Sequence, residues 1–311
     1  MSLPDFQKAG LTALRAALLS DYTTFRLGGP CRALVHCRTG GDVETAARIL
    51  NSVGERWFLV GGGSNLLVAD AGVDRVVLRY ADSPLAVQRT AATITVDAGA
   101  GLDELVQWSV EQGWVGLEFL TGIPGTVGGA IAGNAGAFGR SVSEPLASVD
   151  LLSRDGGRRT VPAGELGFTY RHSRLHETGE VVLAAAFELT PGDPRALAQE
   201  RERLLAFRRE RHPDWHTQRT AGSYFRNIEP TSAAGPRQAA GWFLEQAGAK
   251  ALRVGGARIF DKHANIIVVE SGATARDVLE LARRMSDAVE QRFGFRLQPE
   301  VRFIGDRSPN G

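Results

Sequence analysis

Residues 121–139, TGIPGTVGGAIAGNAGAFG, hold seven glycines and no charged side chain. Glycine costs conformational entropy on folding and builds little core, so a stretch this bare needs either simple repetition or a ligand that comes close to the main chain. The glycines stand at 122, 125, 128, 129, 133, 136 and 139 among varied residues, which argues against repetition. A second bare stretch, VGGGSNLL, covers 60–67. Any one of these glycines is explained by a tight turn. Two dense loops flanking short strands point instead to a cofactor gripped from two sides by backbone amides, which approach a pyrophosphate closely and supply partial positive charge without a lysine. Asn65 and Asn134 can add side-chain amides.

Other glycine-loop chemistries fit less well. ITVDAGAGLDELV, at 94–106, has strand, Gly99-Ala100-Gly101 and helix in the order of a doubly wound dinucleotide fold, but the third glycine of that fingerprint is missing and Glu104 stands where helix and strand must pack closely. No Gly-Lys-Ser/Thr follows any glycine loop, which excludes a phosphate-binding P-loop.

The formal net charge of +1 gives no basic excess for nucleic acid or an anionic membrane surface, so small molecules are the expected partners. Cys31 and Cys37 have no matching ligand cluster, and neither a disulfide scaffold nor a metal site is expected. No run reaches membrane-spanning length and the N-terminal segment lacks a leader pattern, so a cytoplasmic protein is expected.

Periodicity predicts a helix over 42–53 with Asp42 near its N-cap, RWFLVGGGSNLLV as a strand running into a glycine turn, strands at DRVVLRY and ATITVDAG, and a helix from Leu102 to about Gln112 that stops at Gly113. SVDLLSRDGGRRTVPA reads as a hairpin around Asp155-Gly156-Gly157, EVVLAAAFELT as a buried strand, and PGDP at 191–194 as a domain boundary. Beyond it come a charged helix ending near Arg211, a helix at AAGWFLEQAG, a strand at ANIIVVE, a helix capped by Thr274 and stopped by Gly294, and a strand at PEVRFIG.

In that frame GGGSNLL, GLEFLTGIPGTVGGAIAGNAGAFG, YRHSRL, AGSYFRN and PEVRFIG, in this order, resemble the UDP-N-acetylenolpyruvoylglucosamine reductase family of peptidoglycan synthesis. The resemblance implies an α+β chain with an FAD-binding fold of the vanillyl-alcohol-oxidase type in two subdomains, 1–85 and 86–193, and an α+β substrate domain, 194–311. It implies non-covalent FAD held by Gly61, Gly62, Gly63, Ser64, Asn65 and Leu66 and by Gly122, Ile123, Pro124, Gly125, Thr126, Gly129, Asn134 and Ala135. It further implies NADPH as reductant, the enolpyruvyl ether of a UDP-sugar as substrate, and a monomer.

The implied reaction adds a hydride to the vinyl carbon, leaving negative charge on the neighbouring carbon and its carboxylate, so a carboxylate clamp and a proton donor are needed. Arg171 in YRHSRL matches the family arginine, and a planar guanidinium suits a carboxylate. Glu300 in PEVRFIG matches the family glutamate, expected to be protonated beside the substrate carboxylate. Ser223 in AGSYFRN matches the proton donor, although a serine after glycine is ordinarily a turn residue. Lys250, one of three lysines in an arginine-rich chain, matches a family residue near the substrate. Arg211 and Asn227 fall at positions that meet the diphosphate, and Tyr170 adjoins the clamp. His263 in DKHANI is read as structural.

Three departures bear on loop geometry: Ile228 stands where proline is usual in the family, and Ala249 and Ala251 flank Lys250 where leucine and glycine are common. No tyrosine lies between 171 and 222, so the chain resembles the branch without a tyrosine-bearing lid. A flavin-dependent oxidase of the same cofactor fold would leave Arg171, Ser223 and Glu300 together unexplained. A non-catalytic flavin- or UDP-sugar-binding module would bind cofactor without consuming NADPH.

Overall fold

The computed structural model describes residues 6–91, 93–229 and 238–305. It divides into two compact units, one made of Met1–Ala17, Arg32–Gly62 and Arg75–Phe207, the other of Leu18–Cys31, Gly63–Asp74 and Arg208–Gly311. The expected boundaries at 85 and 193 both fall inside the first unit, and the last passage from one unit to the other lies within the helix Pro194–Arg211.

The first unit holds two larger sheets besides two short two-stranded pairings. A four-stranded sheet has the order Thr12–Arg15, Cys31–Cys37, Val73–Tyr80, Trp57–Val60, and its last two strands are parallel with Val60 opposite Arg79. The helix Gly40–Ser52 begins before the expected start: Thr39 is the N-cap, accepting from the Asp42 N–H, while the Asp42 carboxylate accepts from the Thr39 N–H. Asp42 is therefore the third residue of a capping box, which uses two otherwise orphaned donors, close to the cap as expected. A five-stranded antiparallel sheet has the order Arg158–Pro162, Leu146–Leu152, Val181–Glu188, Thr93–Asp97, Gln88–Thr90. The hairpin expected around 155–157 joins its first two strands. Val181–Glu188 lies at its centre, as an apolar run buried on both faces should. Tyr80 of the first sheet donates its hydroxyl to the Leu183 carbonyl of the second at 2.6 Å, beside Asp97. Burial, with that carboxylate, pushes the phenol well above its ordinary pKa, so it stays protonated.

In the second unit, Arg253–Val254, Ala257–Phe260 and His263–Val269 form an antiparallel sheet packed by the helices Ala240–Gln246 and Ala275–Phe293. The longer helix buries Val278, Leu281, Met285 and Val289, a spacing of three and four that makes one apolar stripe. Each such side chain contributes about 1.5–3 kcal/mol relative to exposure. Thr274 caps this helix with Asp277, and Gly294 ends it in the left-handed region at φ 80°, as expected. Asp70, a long way back in sequence, also accepts from the Ala275 and Arg276 N–H groups at 2.7 and 3.1 Å, which suits the positive end of the helix dipole. The strand Leu66–Val68 pairs in parallel with Arg302–Ile304. Among the described residues no helix is long and apolar enough to cross a membrane.

Candidate functional site

In the first unit the two glycine loops meet main chain to main chain. A side-chain carbon on Gly62 would lie 2.6 Å from the Gly125 Cα, and one on Gly61 would lie 2.5 Å from Thr126 Oγ1. Gly125, at φ 116°, has a backbone that other residues rarely adopt. These glycines are thus required first by each other. Arg79 donates to the Gly61 carbonyl and ties the loop to its neighbouring strand. Thr126 caps the short helix Val127–Ala132 by accepting from the Gly129 N–H. The Gly122 N–H donates to Asp103 at 2.6 Å, and Asp103 is held in turn by both ends of the Arg201 guanidinium at 2.7 and 2.8 Å. The Ile123 N–H donates to Leu120 O. The segment Ala98–Gly101, weighed above for a different fold, forms a further wall. Leu102 donates to Gly125 O, Val127 to Ala100 O and Gly128 to Ala98 O, at 3.0, 3.0 and 2.8 Å.

YRHSRL is stitched to the same run. Tyr170 and Arg171 form the tip of a tight turn in which Thr169 and His172 exchange both backbone hydrogen bonds. Asn134 Nδ2 donates to Thr169 O (2.8 Å), Ser173 Oγ to Ala132 O (2.7 Å) and Arg171 Nη2 to Gly136 O (3.0 Å). Arg171 and Asn134 both stand at positive φ, 55° and 42°. Such conformations cost about 1–3 kcal/mol each and gather where surrounding structure over-determines them. The Asn134 Oδ1 is buried and has no hydrogen-bond partner among the described residues. Arg171 lies over the Tyr170 ring, 5.4 Å from its centroid.

In the second unit Ser223, Glu300 and Asn65 come to adjoining backbone. Ser223 pairs with Ile266 and Phe225 with Pro299, so Ser223 belongs to a paired segment and is no turn residue. Tyr224 O accepts from both the Glu300 N–H (2.7 Å) and the Val301 N–H (3.4 Å), a two-against-one pairing of the kind that re-aims a side chain. Asn65 Nδ2 donates to Glu300 O at 3.2 Å, and Asn65 O accepts from Arg302 N. Gly63 and Ser64 lean on a separate segment, their carbonyls accepting from the Thr24 N–H and hydroxyl. Gly222 precedes the serine at φ 75°, with open space around its missing side chain, so backbone conformation alone demands glycine. Tyr224 is buried, which pushes its hydroxyl up to about 12.

The expected phosphate ligands lie in this unit too. Lys250 Nζ is 2.5 Å from Glu245 Oε1 on the exposed surface. Arg211 ends the helix Pro194–Arg211, also exposed. Asn227 has a structural use, its Oδ1 accepting from the Ala240 N–H at 3.1 Å where the helix Ala240–Gln246 starts. Two of the three departures acquire reasons, and nothing in the structure explains Ala251. Ile228 exchanges both backbone bonds with Gln238, at 2.9 and 3.1 Å, and proline would lack the donor. Ala249 is fully buried, where its small side chain completes the core.

Sequence reasoning missed Asn265. It is 2% exposed, and its side-chain amide takes both backbone bonds of Phe225, accepting from N at 2.9 Å and donating to O at 2.8 Å. An amide inside the apolar run ANIIVV is the signal that could have found it, because a buried amide must be satisfied. Ser173 and Asp103 were missed as well, their partners, the Ala132 carbonyl for one and the Gly122 N–H with the Arg201 guanidinium for the other, lying too far along the chain for a local pattern to reveal.

Two family models match the chain: an FAD binding domain over residues 31–161 and the UDP-N-acetylenolpyruvoylglucosamine reductase C-terminal domain over 214–304. The chain is 40% identical over 288 residues to the UDP-N-acetylenolpyruvoylglucosamine reductase of Gloeobacter violaceus, covering 92% of this chain and 94% of that one. It is 38% identical over 289 residues to the corresponding protein of Rubrobacter xylanophilus, covering 93% and 94%. The crystal structure of the reductase from Thermus caldophilus superposes with a TM-score of 0.76 at 32% identity over 95% of this chain and 99% of that one. With an FAD-binding domain ahead of the family's own C-terminal domain and such identity along nearly its whole length, the chain belongs to the UDP-N-acetylenolpyruvoylglucosamine reductase family.

Proposed function

We propose that the chain reduces the enolpyruvyl ether of UDP-N-acetylglucosamine to UDP-N-acetylmuramate with NADPH and non-covalently held FAD, a step of peptidoglycan synthesis. The observation that carries this reading is the drawing together of motifs far apart in sequence: Arg171 is bonded to the glycine run, and Glu300, 235 positions from Asn65, is bonded to that asparagine beside the Ser223 segment. The residues present suit the cofactor. The loops around Gly61, Gly62, Gly125 and Thr126 leave no room for side chains, and the buried acceptor Asn134 Oδ1 suits an N–H such as a flavin ring carries. When bound, FAD supplies two-electron transfer from NADPH to the vinyl group.

The chain's own residues do the rest. Arg171 holds the substrate carboxylate and stabilises charge that develops there. Ser223 delivers the proton to the carbon next to that carboxylate, and Glu300, protonated, donates a hydrogen bond beside it. Tyr170 packs against the substrate, and Lys250, Arg211 and Asn227 meet the diphosphate. Residues 1–85 and 86–193 serve the cofactor, 194–311 the substrate. The chain works as a cytoplasmic monomer of the branch without a tyrosine lid.

The visible spectrum of the purified protein tests the reading. Flavin bands should bleach with NADPH under anaerobic conditions and return on adding the enolpyruvyl sugar. A colourless protein, or bleached bands that the sugar leaves unchanged, would overturn it.

A further inference from the structure

His212 and His263 face each other in the second unit, ring centroids 5.5 Å apart. His212 follows the end of the helix Pro194–Arg211, where Arg208 and Arg211 bear on it, and His263 opens the strand His263–Val269. From the elements packed against His263 come Lys250 and its partner Glu245, and Gly241, where a side-chain carbon would lie 3.3 Å from the imidazole Cε1. Among the described residues, the charged groups that bear on the two imidazoles are thus three cations, Arg208, Arg211 and Lys250, and one carboxylate, Glu245. Burial, with the neighbouring His263, Arg208 and Arg211, brings His212 down to about 4, and burial also lowers His263. Both rings are neutral near pH 7, although nothing in the reaction above uses either.

The geometry points to His212 and His263 as further ligands of the substrate diphosphate, joining Arg211 and Lys250, with one proton taken up at His212 as the anion arrives. His263 Nδ1 accepts from the Asn265 N–H at 3.2 Å, which leaves its other nitrogen as the N–H that a phosphate oxygen can receive while the ring stays neutral. His212 has no such constraint from its backbone, whose N–H donates to Arg208 O. Two phosphate charges set among these cations reverse the local field, so a proton that was repelled becomes favoured. The ligand cannot be the source of this titration, because both phosphates of a UDP-sugar are diesters, fully ionised across the neutral range. The inference rests on a UDP-sugar being the substrate.

Calorimetric titration of the oxidised FAD-loaded protein with the enolpyruvyl UDP-sugar, without NADPH, in HEPES and in Tris at about pH 7 reads the proton directly. The heats should differ in proportion to the buffers' ionisation enthalpies. Affinity should tighten by up to about tenfold per pH unit as pH falls toward 6, since the bound state holds the extra proton. His212→Gln should abolish the buffer dependence, whereas Glu300→Gln and Glu245→Gln, each removing a carboxylate able to take a proton, should keep it. His263→Gln should weaken binding about tenfold, the scale of one hydrogen bond to a charged group. Should His212→Gln fail to fold, the His212 ring carbon shift in the wild-type protein with and without the sugar reports its protonation. Tight binding with equal heats in both buffers, or uptake persisting in His212→Gln, overturns the inference and leaves the proposed function standing. A wild-type protein that does not bind the UDP-sugar at all overturns both.

Discussion

Gly62 and Gly125 approach through bare main chain, with no side chain able to fit between them, whereas Ser223 and Glu300 are placed by isolated backbone bridges and hydrogen bonds reinforced by the Asn265 and Asn65 amides. The first arrangement is defined by the volume it leaves out, the second by bonds it makes. An excluded volume fails abruptly when atoms are added and is indifferent to charge or salt. A bonded arrangement loses stability or rate in steps, one partner at a time, and its ionic members respond to the medium. The two regions should therefore fail differently.

The largest effect should come from adding bulk to the first region. Gly62→Val places a branched side chain against the Gly125 Cα and should cost about 3 kcal/mol, at the upper end of overpacking, together with most of the bound FAD. Thermal unfolding and the flavin absorbance of the purified variant check this, and a stable, fully yellow Gly62→Val protein would break the contrast. Next is Ser223→Ala, which leaves the backbone pairing with Ile266 intact. FAD content and bleaching by NADPH should persist while reoxidation by the enolpyruvyl sugar slows about 10²-fold, the scale of a lost general acid. Rapid mixing of reduced protein with substrate measures it, and cysteine at this position should restore part of the rate.

Smaller again is Lys250→Met. Its KM for the sugar should rise about tenfold with flavin reduction unchanged, and the difference from wild type should shrink as salt increases. A salt-independent loss would move Lys250 out of the ionic group. The smallest effect is expected from Ile228→Pro, the residue usual in the family. Here it removes the donor to Gln238 O and should lower stability by about 1 kcal/mol without changing the flavin spectrum.

The legible parts of the molecule were those whose evidence is local. The hairpin at 155–157, the central strand Val181–Glu188 and the Thr274 cap follow from turn chemistry, apolar runs and capping residues within a few positions. The glycine runs announced a close approach but not what approaches: the nearest atoms to Gly62 belong to Gly125, and nothing in either loop names the other. Asp42 near the helix start is legible as an acidic first-turn residue, but that Thr39 is the cap shows only in the reciprocal bonds between the two, each side chain accepting from the other's N–H. The Gly122 N–H, in a run expected to meet a cofactor, donates to Asp103, a carboxylate that Arg201, 98 positions on, also holds.

The pairing of Leu66–Val68 with Arg302–Ile304 has a consequence for the order in which the molecule is made. Leu67, fully buried in the finished protein, leaves the ribosome long before its partner strand exists. With Glu300 235 positions after Asn65, and synthesis at about 5–20 residues per second, the early strand waits on the order of ten seconds or more with an unpaired edge. Nascent chains halted before residue 300 should accordingly be held by chaperones or degraded, and a fast-folding second unit would gain nothing until the last strand is delivered.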